Sequence, residues 1–374
     1  MFIFFSGPDP LARAGQKGAT IARTAKKNAP MELVRRIPYA APAGQGGRAM
    51  SETRMPKVRL GRTDLMVSPI CFGTSGLGDM PATFGYSVSV ERARATVNAI
   101  LDGPTNFIDS ARIYGEGRSE QRLGDVLHER GGLPAGFVLS TKIDRDPSTG
   151  VFDAAQARRS LETSLRILGR ERFDLLYLHD IEHARSLAEA TSRDGALGEL
   201  FRMKEEGLAK AVGLAAGKTD MMIPLLGDWD FDAVMTHNRF TLVNRNAEPL
   251  LDLATAKGIA VMNAAPYASG VLAKGSVAYP HYAYQQADDA ALAPIRRIEA
   301  IAARHGVPLG AAALQFSLRD KRVASTVCGV TKPERVKETL DWARFPIPEA
   351  FWQEIANLPF AVDDPEAARA EVKN

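Results

Sequence analysis

The chain of 374 residues predicts a closed α/β barrel of the (β/α)8 type, and three observations carry that expectation. From about residue 55, short apolar runs rich in β-branched residues alternate with segments whose apolar positions recur at helical spacing. That alternation repeats eight times. The first run is followed by GTSGLG, residues 73–78, which lacks the G-x-G-x-x-G spacing that a doubly wound dinucleotide sheet carries at its first βα turn.

In order along the chain, KVRLGRTDLMVSP, residues 57–69, reads as a β-hairpin with a polar turn at 62–64 between apolar flanks, placed to cap the barrel bottom. Strands are expected at 69–73, 106–109, 137–142, 174–179, 211–215, 232–236, 259–263 and 323–329. Helices are expected at 90–102, 119–130, 153–168, 194–206, 219–227, 247–257, 290–305 and 333–343. Asp153 and Asp194 are suited to cap N-termini, Pro333 to open a helix after Thr331, and Gly131, Gly169, Gly207, Gly258 and Gly306 to follow C-termini. Residues 264–289 show no clear element. A loop this long in a compact domain is a binding loop or a mobile one, and Tyr267, Tyr279, Tyr282 and Tyr284 suit either a pocket wall or anchoring of the loop to the surface.

Composition narrows the function classes. Charged residues make up 24% and the hydrophobic set 45%, ordinary for a globular protein. Residues 1–54 hold nine Lys and Arg against Asp9, Glu32 and Glu52, a net +6, so the chain total of +3 leaves −3 on residues 55–374. The body therefore gives no electrostatic case for nucleic acid. The extension is rich in Ala, Gly and Pro without apolar periodicity, which predicts disorder. A transit-like presequence, a regulatory tail and a start assigned too early all fit it, and Met31, Met50 and Met55 favour the last. No apolar run approaches the roughly 18 residues a membrane helix needs. Cys71 and Cys328 are the only cysteines, which favours a reducing, cytoplasmic setting over a disulfide framework. A monomer or small homo-oligomer is expected.

Chemistry in such a barrel collects at the C-terminal ends of the strands. Those ends present Asp109 with Tyr114 beyond it, then Lys142, then His179: an acid, a phenol, an ammonium and an imidazole. Together they suit proton transfer to or from an oxygen. A phenol with a pKa near ~10 is a poor base at neutral pH, but a lysine cation within about 4 Å favours phenolate by up to ~4 kcal/mol. Asp109 is expected to hold that lysine charged, and His179 to orient the substrate oxygen. Acid–base help of about 10²–10⁴-fold leaves the bond change to a second agent, and with no metal cluster apparent a bound redox cofactor is the natural candidate.

DSARIYGEGRSE (109–120), STK (140–142), LHD (178–180) and CGVTKPERVKETL (328–340), in this order, resemble the aldo-keto reductase superfamily across residues 55–374. ICFGTSGLG, THNRFTLVNRN and MNAAPYASGVL are most similar to its aldose and pyridoxal dehydrogenases. The resemblance implies a TIM barrel with Tyr114 as acid or base, Lys142 and Asp109 tuning it, His179 orienting substrate, and an extended nicotinamide cofactor across the mouth. It also implies cofactor contacts from Gly73, Thr74, Asp109, Asn238, Ser269, Gly270, Leu272, Val330, Thr331, Lys332, Arg335 and Glu338. The backbone at 331–334 suits a phosphate and Arg335 a 2′-phosphate. Gly329 and Val330 stand where many NADP-dependent members have Lys and Ser, giving a slight preference for NAD over NADP. Ala215 and Ala216 stand where many members hold the carboxamide with Ser and Asn, so Asn238 or His237 is expected to replace them. Ala264 or Asn263 stands where a tyrosine often stacks on the ring.

Two stretches mimic other chemistries. GLAAGKT, residues 213–219, is one residue short of a P-loop. HDIEH, residues 179–183, spells H-x-x-E-H, but His179 ends a strand, so no metal is expected and His183 reads as a rim residue. Asp180 suits substrate hydroxyls or a solvated loop equally, and Cys71 and Cys328 read as core residues on neighbouring strands. The sequence thus points to NAD(P)-dependent oxidation of an aldose at its anomeric carbon, giving a lactone. A general aldehyde or ketone reductase, a pyridoxal dehydrogenase and a nucleotide-sensing regulatory subunit are the alternatives.

Overall fold

Eight parallel strands close on themselves: β1 (Ile70–Gly73), β2 (Phe107–Asp109), β3 (Val138–Ile143), β4 (Phe173–His179), β5 (Ala209–Ala215), β6 (Ala233–His237), β7 (Ala260–Ala264) and β8 (Val323–Gly329), with β8 hydrogen-bonded to β1. The structure is a computed structural model that describes residues 54–367; of the extension at 1–54 only Arg54 lies among them, so its expected disorder falls outside the described residues. The barrel is as expected, and each strand lies within two residues of its predicted bounds.

Alternation explains why a parallel barrel forms from these runs. One set of strand residues, including Cys71, Phe107, Val138, Leu175, Tyr177, Ala211, Met235, Met262 and Val327, fills the barrel interior. The intervening set, including Ile70, Phe72, Ile108, Leu139, Leu176, Leu214 and Val261, faces the surrounding helices. Cys71 pairs in register with Val327 on β8, and both cysteines are free and buried. The N-terminal hairpin, Val58–Arg59 with Met66–Val67, closes the bottom. Its Leu60 and Val67 join the interior cluster, and its turn glycine, Gly61 at φ +54, sits so close to Gly258 O and Ala260 N that a Cβ there would lie 2.8 and 2.9 Å from them.

The helices of eight or more residues are α1 (Val90–Asp102), α2 (Arg118–Glu129), α3 (Ala154–Leu168), α4 (Ala196–Glu205), α5 (Thr219–Asp228), α6 (Glu248–Ala256), α7 (Asp289–Arg304), α8 (Leu309–Leu318), α9 (Pro333–Arg344) and α10 (Glu349–Ala356). Asp153 caps α3 as expected, through Gln156 N at 2.7 Å, whereas the cap of α4 is Gly195 and not Asp194. All five glycines expected after helix ends have positive φ. The segment 264–289 is more structured than its sequence suggests. A turn at Ala268–Gly270, a short helix at Val271–Lys274 and a two-strand ribbon, His281–Tyr282 with Gln285–Gln286, lie within it.

Candidate active site

The C-terminal rims of the strands surround a cavity of about 1860 Å³, well beyond the roughly 300–1,000 Å³ of ordinary small-ligand pockets. Asp109, Tyr114, Lys142 and His179 all line it. Lys142 is buried, and its Nζ donates to Asp109 Oδ2 at 2.6 Å and to Ser110 O at 2.6 Å. Ser140 Oγ donates to the other Asp109 oxygen at 2.7 Å, so the carboxylate is held on both sides. The Tyr114 ring lies over the ammonium, its centroid 4.8 Å from Nζ, and meets the His179 ring edge-on at 5.6 Å. Four side chains from three successive strand ends thus form a continuous chain of contacts, Asp109 to Lys142 to Tyr114 to His179.

Electrostatics corrects one sequence expectation. Burial pushes the Tyr114 phenol above its ordinary range; the charge and hydrogen bond of Lys142 pull it down, and Asp109 and Asp180 push it up again. The net direction is upward. Lys142 does favour phenolate, as its position demands, but the water it displaces and the carboxylate that neutralises it together outweigh it. Lys142 itself loses from burial and gains more from Asp109 and Tyr114, and so is held above an ordinary lysine. The phenol therefore keeps its proton at neutral pH.

Asp144 is a site residue that the sequence reading missed. Two positions beyond Lys142, it is buried, with Oδ1 2.6 Å from His179 Nδ1 and Oδ2 accepting from Ile113 N at 2.9 Å. The available signal was its spacing from Lys142, since residues two apart share a face at a strand end. Asp180, at φ +44, approaches the other ring nitrogen, Nε2, at 3.4 Å. Burial lowers the His179 pKa, but Asp180 and Asp144 more than reverse this and leave it raised.

The expected cofactor residues divide. Gly73, Ser269, Gly270, Val330, Thr331, Lys332 and Arg335 line the cavity. Leu272 is core, and Thr74 is fully buried, its hydroxyl donating to Asp109 O at 3.0 Å and accepting from Ser119 Oγ at 2.9 Å. Glu338 lies behind Arg335 and pairs with it at 2.8 Å. Asn238, at φ +59, is fully buried; its Nδ2 donates to Glu366 Oε1 at 2.9 Å and its Oδ1 accepts from Ser269 Oγ at 3.2 Å. Its amide is therefore engaged by the C-terminal segment, whose Asp364 and Glu366 also hold buried Arg239. Ala215, Ala216 and Ala264 line the cavity, so the alanines noted in the sequence do face the mouth. Of the four loop tyrosines, Tyr267, Tyr279 and Tyr284 line it and Tyr282 does not.

These residues fit a dinucleotide. At one end of the cavity Lys274, seated on the Tyr279 ring at 3.9 Å, lies close enough to Arg335 for its ammonium to feel that charge, beside the uncapped first turn of α9. Cations gathered at the start of a helix suit a phosphate. Among the described residues no group of three or more His, Cys, Asp or Glu is placed to hold a metal ion, and no helix is long and apolar enough to cross a membrane.

Comparison with known proteins agrees with this geometry. Residues 69–358 match the model of the aldo/keto reductase family. The chain belongs to that family. It is accordingly an NAD(P)-dependent oxidoreductase. The chain is 31% identical to pyridoxal 4-dehydrogenase of Microbacterium luteolum over 79% of its own length and 95% of that protein. It is 30% identical to D-threo-aldose 1-dehydrogenase of a Pseudomonas species (78% and 94%) and 28% identical to L-galactose dehydrogenase of Arabidopsis thaliana (77% and 88%). In fold it is similar to the holo form of an aldo-keto reductase from Bacillus halodurans, with a TM-score of 0.66 and 22% identity over 85% of this chain and all of that one.

Proposed function

We propose that this aldo-keto reductase oxidises the anomeric carbon of an aldose to a lactone, with Tyr114 exchanging the proton of the reacting oxygen. The observation that carries the proposal is the buried Lys142–Asp109 pair, 2.6 Å long, lying directly beneath the Tyr114 ring with His179 at its edge. The nicotinamide, when bound, supplies or accepts the hydride. Tyr114 takes the hydroxyl proton in oxidation and returns one to the nascent alkoxide in reduction. His179 orients that oxygen, and Lys142 stabilises the phenolate each time it forms. Because burial favours the protonated phenol, oxidation should accelerate as pH rises, while reduction should be sustained near neutrality.

The polar wall of Asp180, His183, His237 and Glu366 suits a polyol, in line with the aldose dehydrogenases among the relatives. Adjoining it, through the contact of Tyr284 with His237, is an aromatic patch of Phe84, Tyr86 and Tyr284, with Phe84 6.2 Å from each of the other two rings. That patch favours a second reading, a pyridoxal-type or aromatic aldehyde substrate, which the pyridoxal 4-dehydrogenase relative also supports. Arg335 is already paired with Glu338, which supports a slight preference for NAD. The test is initial rates with L-galactose, L-fucose, D-arabinose, pyridoxal and an aromatic aldehyde, each with both cofactors, for the native protein and Tyr114→Phe. The variant should lose turnover and bind cofactor within a few-fold of native. Undiminished turnover by Tyr114→Phe would refute the assignment.

A further inference from the structure

Asp144 makes contacts that the family resemblance did not lead us to expect. It is a buried carboxylate with no Lys or Arg among the described residues in ion-pair contact; its two oxygens are taken by His179 Nδ1 and by the backbone N–H that precedes Tyr114. Its own N–H donates to Ser160 Oγ on α3 at 3.0 Å, and its carbonyl accepts from Gln156 Nε2 at 3.1 Å, so the residue is fixed from both sides. The side chain therefore links the two groups that must meet one substrate oxygen.

We infer that Asp144 is a positioning residue: one carboxylate holds the imidazole of His179 through its Nδ1–H and the tyrosine loop through Ile113 N–H, so that ring and phenol face the reacting oxygen in fixed relation. The inference rests on the proposed role of Tyr114 and His179. A carboxylate acceptor at 2.6 Å places a proton on Nδ1. The neutral ring then presents a bare Nε2, and only the imidazolium can donate from Nε2 to a carbonyl oxygen. Asp144 thereby makes orientation by His179 depend on the ring keeping its second proton. The charges that decide this are Asp144 and Lys142 on the β3 side and Asp180 beyond β4, with His183, His237 and Arg145 acting in turn on Asp180, while the uncharged Tyr114 ring beyond β2 faces the imidazole edge-on. The acids raise the ring's hold on its proton, and Lys142 opposes them.

The experiment compares the full-length native protein with Asp144→Asn. The carboxamide oxygen can accept from Ile113 N–H or from Nδ1–H, but not from both, and it carries no charge. Carbonyl reduction at neutral pH should fall about 10–100-fold in kcat/KM, the scale seen when an outer partner of an active histidine is removed. The basic limb of that pH profile should move to lower pH, and cofactor affinity should stay within about threefold. Imidazole nitrogen NMR should show Nδ1 protonated in the native protein from pH 5 to 9, and Nε2 losing its proton at lower pH in the variant. An unchanged pH profile and unchanged ring titration in Asp144→Asn would overturn the inference. So would an unprotonated Nδ1 in the native protein, a result that stands even if the variant does not fold. A dead Tyr114→Phe beside an unaffected Asp144→Asn sinks this inference alone, whereas an active Tyr114→Phe sinks the reading beneath it.

Discussion

At the scale of the residue, the site is a contest between burial and charge. Lys142 Nζ donates to Asp109 and to Ser110 O, and its charge lies against the Tyr114 ring. Lys142→Met removes a cation that pulls the phenol's pKa down, so the pH at which Tyr114 ionises should rise. The oxidation profile should shift alkaline or vanish, and an unshifted profile would show that the ammonium does not tune the ring. The same change leaves Asp109 buried and unpaired, with an expected loss of about 3–5 kcal/mol in stability measured by denaturant unfolding. Asp109, Lys142 and His179 were legible because each stands at the end of an apolar run, where nothing but function recommends a buried polar group, and Tyr114 because it follows Asp109 in a glycine-rich turn. Asp144 was not, because it follows Ile143 just past the strand end, where an acid is as ordinary in a loop as in a site. Nor could the sequence give the sign of the phenol's shift, since desolvation depends on how completely the loops cover the ring.

At the scale of the element, the tyrosine sits on a turn that works only by close approach. Gly115, at φ +58, lies against Gly78 so tightly that a Cβ would collide with the Gly78 carbonyl oxygen, and Arg118 Nε ties the same carbonyl at 2.9 Å. Gly115→Ala combines a left-handed backbone with overpacking, which together cost about 2–5 kcal/mol. It should therefore depress kcat along with stability, since the 75–78 turn and the Tyr114 loop must separate; full activity in a folded Gly115→Ala would show that the contact is dispensable. The C-terminal segment is a second such element. Arg245 N donates to Ala361 O and Ala361 N to Val243 O, and Glu366 anchors the end at Asn238 and Arg239. Burial raises the Glu366 pKa, but His237 and Arg239 more than reverse this and depress it well below the usual carboxylate range. A depressed acid stabilises above its unfolded pKa and loses that contribution only as pH falls through the folded value, so acidification to pH 5 should not release Glu366. Glu366→Gln should raise hydrogen exchange at the Arg245 and Ala361 amides about tenfold at pH 7, and no change would show that the anchoring lies elsewhere. Sequence periodicity overlooked α8 for a physical reason. LGAAALQFSL is covered on several sides, with Gly310 against the Trp342 indole and Ser317 bonded to Thr326 and Asn263 inside the fold. No amphipathic stripe therefore marks it.

At the scale of the whole molecule, the barrel separates stability from chemistry along its axis. Strand positions and their order were legible because each strand is a short apolar run between turn residues, and a parallel barrel buries both faces of every one. The mouth was legible only in part. Loops such as 264–289 take their form from contacts far away in sequence, and the C-terminal segment reaches Arg239 across more than a hundred residues. The bottom is simpler. Leu60 is fully buried in the interior cluster with Val67, Cys71 and Phe107, at the far end of the strands from Tyr114 and its partners. Leu60→Ala should cost about 2–5 kcal/mol by leaving a cavity that the rigid strand ends cannot fill. Because that cavity touches no residue of the mouth, kcat per folded molecule should stay within about twofold of native while the denaturant midpoint falls. If kcat instead drops tenfold in protein that is still fully folded, the interior layers of the barrel transmit strain from hairpin to tyrosine, and the two ends are one mechanical unit.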